Sequence, residues 1–284
     1  MKNSLLILMA LFLWAGSSLA QEAMINQKDS KSPLVTTLLD PTGDGGFENG
    51  ATFADNNWFV VNHTTNKWYV GAGAVPYAGT KCGYISNDGG VTNAYTTTVT
   101  ETSHFYRDFT VPAGESKLTL TFRLKGNGYL GQDRLLVYTA PTSVTPVAGV
   151  PASTSTTLDG ATLIYAQPAF FTPYTLQTVV FTGQPGTTFR LIFTWQSQAW
   201  FSQVQPPASV DNISLVSDNP GTIASTALGG LWNSPATWVG GVVPAGDNVT
   251  ITAGADVVVN QTVYVGDLTV DGTLQWTSTP NPSA

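Results

Sequence analysis

The chain has 284 residues, of which 10% are charged, 42% hydrophobic and 11% aromatic, and its formal net charge is −7. That acidity excludes nucleic acid as a partner, because phosphates demand a basic face. Few charges beside plentiful Thr, Ser, Val and aromatic residues exclude a helical cytosolic protein and point to an all-β exported one.

Taken in chain order, residues 1–20 read as a secretory signal. Lys2 carries the positive charge, Leu5 to Trp14 form the apolar stretch, and Ser18-Leu19-Ala20 is a small-residue cleavage site. Residues 21–32 are polar and read as a disordered leader. No later stretch reaches membrane-spanning length, so no membrane insertion is expected. Short β-branched or alternating runs then succeed one another with turn residues between them. They are Trp58 to Val61, Lys67 to Val70, Gly79 to Ile85, Tyr95 to Thr100, His104 to Phe109, Lys117 to Leu124 and Arg134 to Tyr138. Thr162 to Tyr165, Leu176 to Phe181, Thr188 to Trp195 and the Asp211 segment follow. Leu118, Leu120, Phe122 and Leu124 alternate with polar residues, as in a strand that covers a core on one side. Residues 140–160 read as a long surface loop. The pattern predicts a sandwich of two antiparallel sheets over 33–217. Trp58 and Trp68 are placed in its core. Cys82, the only cysteine, excludes an intrachain disulfide and reads as a small buried hydrophobe.

Beyond Ser217-Asp218-Asn219-Pro220-Gly221 the character changes. Val249-Thr250-Ile251, Val257-Val258-Val259, Leu268-Thr269-Val270 and Leu274-Gln275-Trp276 recur, each with two apolar side chains on one face. Such a ribbon cannot bury its face alone and wants further rungs, as a parallel β-solenoid does. Residues 218–284 are therefore read as the truncated start of such a unit. A small β-roll packed on the sandwich is the alternative.

Residues 40–217 resemble the jelly-roll modules of exported proteins from Bacteroidetes-type bacteria, including MAM-like and cleaved-adhesin domains and many carbohydrate-binding modules. Gly46-Phe47-Glu48 with Asn57-Trp58, Ser103 to Gly114, Asp133 to Tyr138 and Val210-Asp211-Asn212-Ile213 carry the likeness. The tail resembles the start of the eight-glycine extracellular β-solenoid domain through Trp232, Trp238 to Gly241, Val243 to Asp247 and Val249 to Ile251. The first resemblance implies that the first and last strands lie side by side, with a Glu from one and an Asp from the other sharing a structural cation. In this chain those residues are Glu48 and Asp211. Ca²⁺ wants about six to eight oxygens, and carbonyls near Gly46 and Asn49 could complete the shell. The alternative is that Glu48 binds backbone groups and Asp211 caps a turn.

Glycan binding needs flat rings with polar groups beside them. Trp200 and Phe201 lie in a polar segment where a large ring has no strand face to fill, and Tyr174 is a further candidate. An active site does not assemble. Gly-x-Ser-x-Gly and His-Glu-x-x-His are absent, and of the only two histidines, His63 and His104, the latter stands at a strand start and reads as structural. The expected protein is non-enzymatic, secreted or at the cell surface. It recognises an extracellular glycan or surface protein and is stabilised by a structural Ca²⁺. Its alternatives are the accessory front end of a longer glycan-degrading enzyme, and a passive spacer.

Overall fold

The structure, a computed structural model, describes residues 35–128, 131–149, 158–199, 204–219 and 221–277. The signal and leader segments lie outside the described residues. Along Lys117–Gly126 the side chains of Leu118, Leu120, Phe122 and Leu124 are fully buried, while the alternate positions are half-exposed. This is the period-2 pattern of a strand with one face on a core.

The strands run in chain order as β1 (Val35–Leu39), β2 (Phe59–Val61), β3 (Lys67–Gly71), β4 (Cys82–Ser86), β5 (Glu101–Thr110) and β6 (Lys117–Gly126). They continue as β7 (Arg134–Pro141), β8 (Thr162–Ala166), β9 (Phe171–Thr182), β10 (Thr188–Ser197) and β11 (Ser209–Asp218). One sheet has the order β3-β4-β11-β6-β9, with β1 also paired to β11; the other has the order β2-β5-β10-β7-β8. All these pairings are antiparallel. The fold is an all-β jelly-roll sandwich. Its first and last strands do lie side by side: Val35 pairs with Asp218 and Thr37 with Val216. We call the sheet containing β11 the front sheet and the other the back sheet.

Aromatic rings fill the space between them. Phe105 of β5 stacks on Phe193 of β10 at 4.8 Å and 4°, and Phe122 of β6 meets Phe193 edge-on at 5.4 Å. Trp58, Trp68, Phe47 and Phe53 surround Phe105 within 6.1 Å. Offset and edge-on pairs of this kind add to the stabilisation from burial. Trp58 and Trp68 are core residues, each 2% exposed.

Two local readings change. The stretch Tyr95–Thr100 is a loop, not a strand. Its backbone donors go to side-chain amides instead of a neighbouring strand: Tyr95 N–H to Gln205 Oε1 and Thr96 N–H to Asn66 Oδ1. Glu48 is not on the first strand but in the turn after it. There a 3₁₀ segment (Asp44–Gly46) and a left-handed Phe47 (φ 61°) sink the Phe47 ring into the core and turn Glu48 outward.

The tail forms two parallel three-stranded sheets. β12 (Thr222–Ala224), β14 (Asn248–Ile251) and β16 (Leu268–Val270) make one; β13 (Gly229–Leu231), β15 (Asp256–Val259) and β17 (Thr273–Trp276) make the other. Val249, Ile251, Val257 and Val259 pack inside with Trp232 and Trp238, whose rings meet edge-on at 4.8 Å. Lys117 of β6 ties this unit to the sandwich through Asp247 at 2.9 Å. Among the described residues no helix is long and apolar enough to cross a membrane.

His104 of β5 is structural. Nε2–H donates to Val147 O (3.2 Å) and Nδ1 accepts from the Thr194 hydroxyl (2.8 Å). Burial pushes its pKa down to about 4. The folded state therefore disfavours the proton, so this stability is present above the ordinary histidine value and is lost as pH falls toward 4. In urea unfolding, the stability of the wild type relative to His104→Gln should fall by up to about 3 kcal/mol between pH 7 and pH 4. A difference that stays constant across that range would contradict this role.

Candidate functional site

The β3–β4 connection, residues 72–81, folds back over the outer face of the front sheet. Beneath it the register sets a row across four strands, with Tyr69 beside Tyr84, Tyr84 beside Ser209, and Ser209 beside Lys125. Tyr174 of β9 extends the row, with the Lys125 ammonium 4.7 Å from its ring centre. Its hydroxyl bonds to Ser209 Oγ. Ala74 of the strap is buried against Cys82 and Tyr84. Cys82 is the small buried residue expected, and burial pushes its thiol pKa up.

Three charged side chains clamp this strap. Glu48 accepts Thr80 N–H (2.8 Å) and Lys81 N–H (2.9 Å) on Oε1, and the Thr80 hydroxyl (2.7 Å) on Oε2. Asp211 accepts Tyr77 N–H (2.8 Å) and Ala78 N–H (3.1 Å) on Oδ2, and Asn212 N–H (2.7 Å) on Oδ1. Lys125 Nζ donates to the carbonyls of Ala74 and Val75. Val75 is held at φ 54°, a costly backbone for a β-branched residue.

Local backbone explains the placement. The register of β11 against β6 slips between Asp211 and Ser214, where Asn212 has φ 48°. This bulge aims Asp211 under the strap. Gly45 presses on the same point: a Cβ there would lie 1.8 Å from Ile213 O. A cavity of about 130 Å³ opens beside Glu48, lined also by Pro41, Thr42, Gly46, Ala78, Gly79 and Asn212.

The two carboxylates differ electrostatically. Burial opposes the charge on Glu48, but donors from Thr80 and Lys81 outweigh it and its pKa is lowered. For fully buried Asp211, burial dominates and its pKa is pushed up to about 6, with Glu48 adding repulsion. Among the described residues neither carboxylate forms a salt bridge, and no three His, Cys, Asp or Glu side chains are grouped as a metal cage.

Of the aromatic candidates, Trp200 and Phe201 lie outside the described residues. Tyr174 is half-buried in the row just described. The exposed ring beside it is Tyr77, 44% accessible at the strap's tip. The Arg123 guanidinium lies 4.3 Å from the Tyr77 ring centre, and Tyr174 meets Tyr77 edge-on at 5.9 Å. Sequence reasoning missed Tyr77, Arg123 and Lys125. A signal was present: Ala72 to Gly79 is a Gly/Ala/Pro loop with one large ring and no strand face to fill.

No protein-family model matches the chain, and no curated protein is detectably similar to it in sequence. Among solved structures it is similar to the CBM22-1 xylan-binding domain of Xyn10C from Paenibacillus barcinonensis, at 13% identity and a TM-score of 0.37 over 64% of this chain and 94% of that one. TmCBM61 in complex with β-1,4-galactotriose matches at 9% identity and 0.37, over 62% and 97%. The cleaved adhesin domain of Lys-gingipain from Porphyromonas gingivalis matches at 17% and 0.34, over 67% and 99%. The fold assignment rests on the strand order and register described above, not on these likenesses.

Gly79 has φ +64°, and a Cβ there would sit 2.3 Å from Glu48 Oε1. Gly79→Ala should therefore destabilise the strap by more than about 1 kcal/mol and speed alkylation of Cys82 by iodoacetamide. Alkylation as slow as in the wild type would contradict the clamp.

Proposed function

We propose that the chain is an exported, non-enzymatic binding module for an extracellular glycan, with the outer face of its front sheet as the recognition surface. The observation that carries this reading is the Tyr77 ring, exposed yet held by Arg123 and Tyr174. A fixed flat ring stacks on the apolar face of a sugar at little entropic cost, while neighbouring polar groups take its hydroxyls. Residues 1–20 supply the export signal in this reading. In this reading the jelly roll covers 33–217 and the tail, 218–284, is β-solenoid-like, which its two parallel sheets suit.

The residues also suit a structural Ca²⁺ held by Glu48 and Asp211. Neither carboxylate forms a salt bridge among the described residues, Glu48 borders a cavity beside Asn212, and an ionised Asp211 is penalised by burial. The sign follows from its raised pKa. The stabilisation is present below the ordinary Asp value and is lost as pH rises through about 6. Above that, the cation-free chain carries a penalty of about 3 kcal/mol. Ca²⁺ would offset it and cross-link β11 to the turn that follows β1.

Two measurements test these readings. The full chain should be retarded in native gels containing soluble xylan or soluble β-1,4-galactan, and Tyr77→Ala should weaken retardation about tenfold. Migration unchanged by either polysaccharide would sink the glycan reading; capture of a surface protein instead would redirect it. Millimolar CaCl₂, the range of extracellular sites, should raise the melting temperature over EDTA more at pH 7.5 than at pH 5. Asp211→Asn should abolish that rise. Equal melting in CaCl₂ and EDTA at pH 7.5 would remove the metal.

A further inference from the structure

The back sheet carries a second exposed aromatic platform, unrelated to the strap. Phe59 of β2 is 61% exposed and stacks on Tyr106 of β5, its direct partner in register, at 5.2 Å and 19°. The Arg190 guanidinium lies 4.4 Å from the Tyr106 ring centre. Arg190 is itself held in a two-pronged pair with Asp108, Nε to Oδ1 at 2.7 Å and Nη2 to Oδ2 at 2.9 Å, while Nη1 donates to Val144 O. One step further along β5 and β10, the exposed hydroxyls of Thr110 and Thr188 bond each other at 2.8 Å.

Outward side chains of a strand recur every second residue, so Tyr106, Asp108 and Thr110 form a straight strip of about 13 Å. An aromatic face lies at one end, a neutralised acid–base fork in the middle and two hydroxyls at the other. The fork carries no net charge, so the strip does not select an ion. The Arg190 guanidinium is buried and partnered on all three nitrogens, so it positions Asp108, whose side chain, 33% exposed, keeps accepting capacity toward solvent. An apolar ring face followed by alternating donors and acceptors complements a short run of neutral sugar residues. A purely apolar partner would strip water from the remaining lone pairs of Asp108 and of the two threonine hydroxyls without replacing it.

We propose that Phe59, Asp108, Thr110 and Thr188, positioned by Tyr106 and Arg190, form a second site for a neutral oligosaccharide. This rests on the glycan-binding reading of the front sheet. In a two-layer sandwich the outer faces point away from each other. A module with a site on each face holds two glycan chains at once, and on a multivalent polymer gains avidity.

The experiment uses the full chain with soluble xylan and soluble β-1,4-galactan, read by retardation in native gels and by turbidity on mixing. The wild type should be retarded and should cross-link the polymer into a turbid suspension. Phe59→Ala, at an exposed position that leaves melting unchanged, should weaken retardation about tenfold and abolish turbidity, while residual binding through Tyr77 remains. Thr110→Val should weaken retardation by a smaller factor. Wild-type retardation that both substitutions leave intact, with turbidity unchanged, would overturn the second site and leave the front-sheet reading standing. Absence of retardation for the wild type itself would overturn both.

Discussion

A buried carboxylate with no salt-bridge partner among the described residues, Asp211, is the constraint around which the front of this molecule is arranged. A charge taken out of water must be met by donors, protonated, or paired with a cation. Here the backbone supplies three N–H groups, two from the strap and one from Asn212. To deliver them, β11 bulges at Asn212, Gly45 packs against Ile213 O, and residues 72–81 fold over a sheet face that would otherwise be open. Glu48 and Lys125 then hold the same strap from its two ends. Tyr77 is displayed because the strap is held; without the clamp its ring would sit on a free loop.

Both sheets have their outer faces dressed by connections, by different means. On the front sheet the anchors are mostly charged, and the one buried apolar contact from the strap is a small side chain, Ala74. On the back sheet Val144 and Leu158 of the β7–β8 connection pack, with Leu163 of β8, against Leu136, Tyr138, Ala140 and Ile192. Carbonyls of that segment accept from His104 and Arg190. The front dressing is therefore held chiefly by hydrogen bonds to charged side chains, whereas the back one combines apolar burial with the bonds from His104 and Arg190. Phe59 escapes cover because it sits on β2, a three-residue edge strand outside that packing, whereas Tyr106 is partly buried against it.

Strands with strict alternation were legible from residues alone. Lys117 to Leu124 shows its buried face in every second letter, and the pairing of the first strand with the last followed from the resemblance around Asp211. Tyr95 to Thr100 misled because its β-branched residues are satisfied by the amides of Asn66 and Gln205, far away in sequence. Val35–Leu39 went unread, being a short run beside a polar leader. Glu48 was read as lying on the first strand, but its position off the strand depends on a left-handed Phe47 that no local pattern announces. Tyr77 and Phe59 were hidden for a related reason. Exposure of a ring is decided by what folds over it, and that is a tertiary fact.

The most direct measurement is amide hydrogen exchange of the full chain, resolved at Tyr77, Ala78, Thr80 and Lys81. The clamp predicts that these four amides, although in a loop, exchange as slowly as those of the sandwich strands, because each donates to a carboxylate of Glu48 or Asp211. Exchange as fast as in the exposed turn around Gly89 would contradict the account. It would show that the acids do not hold the strap and that Tyr77 is not a fixed platform.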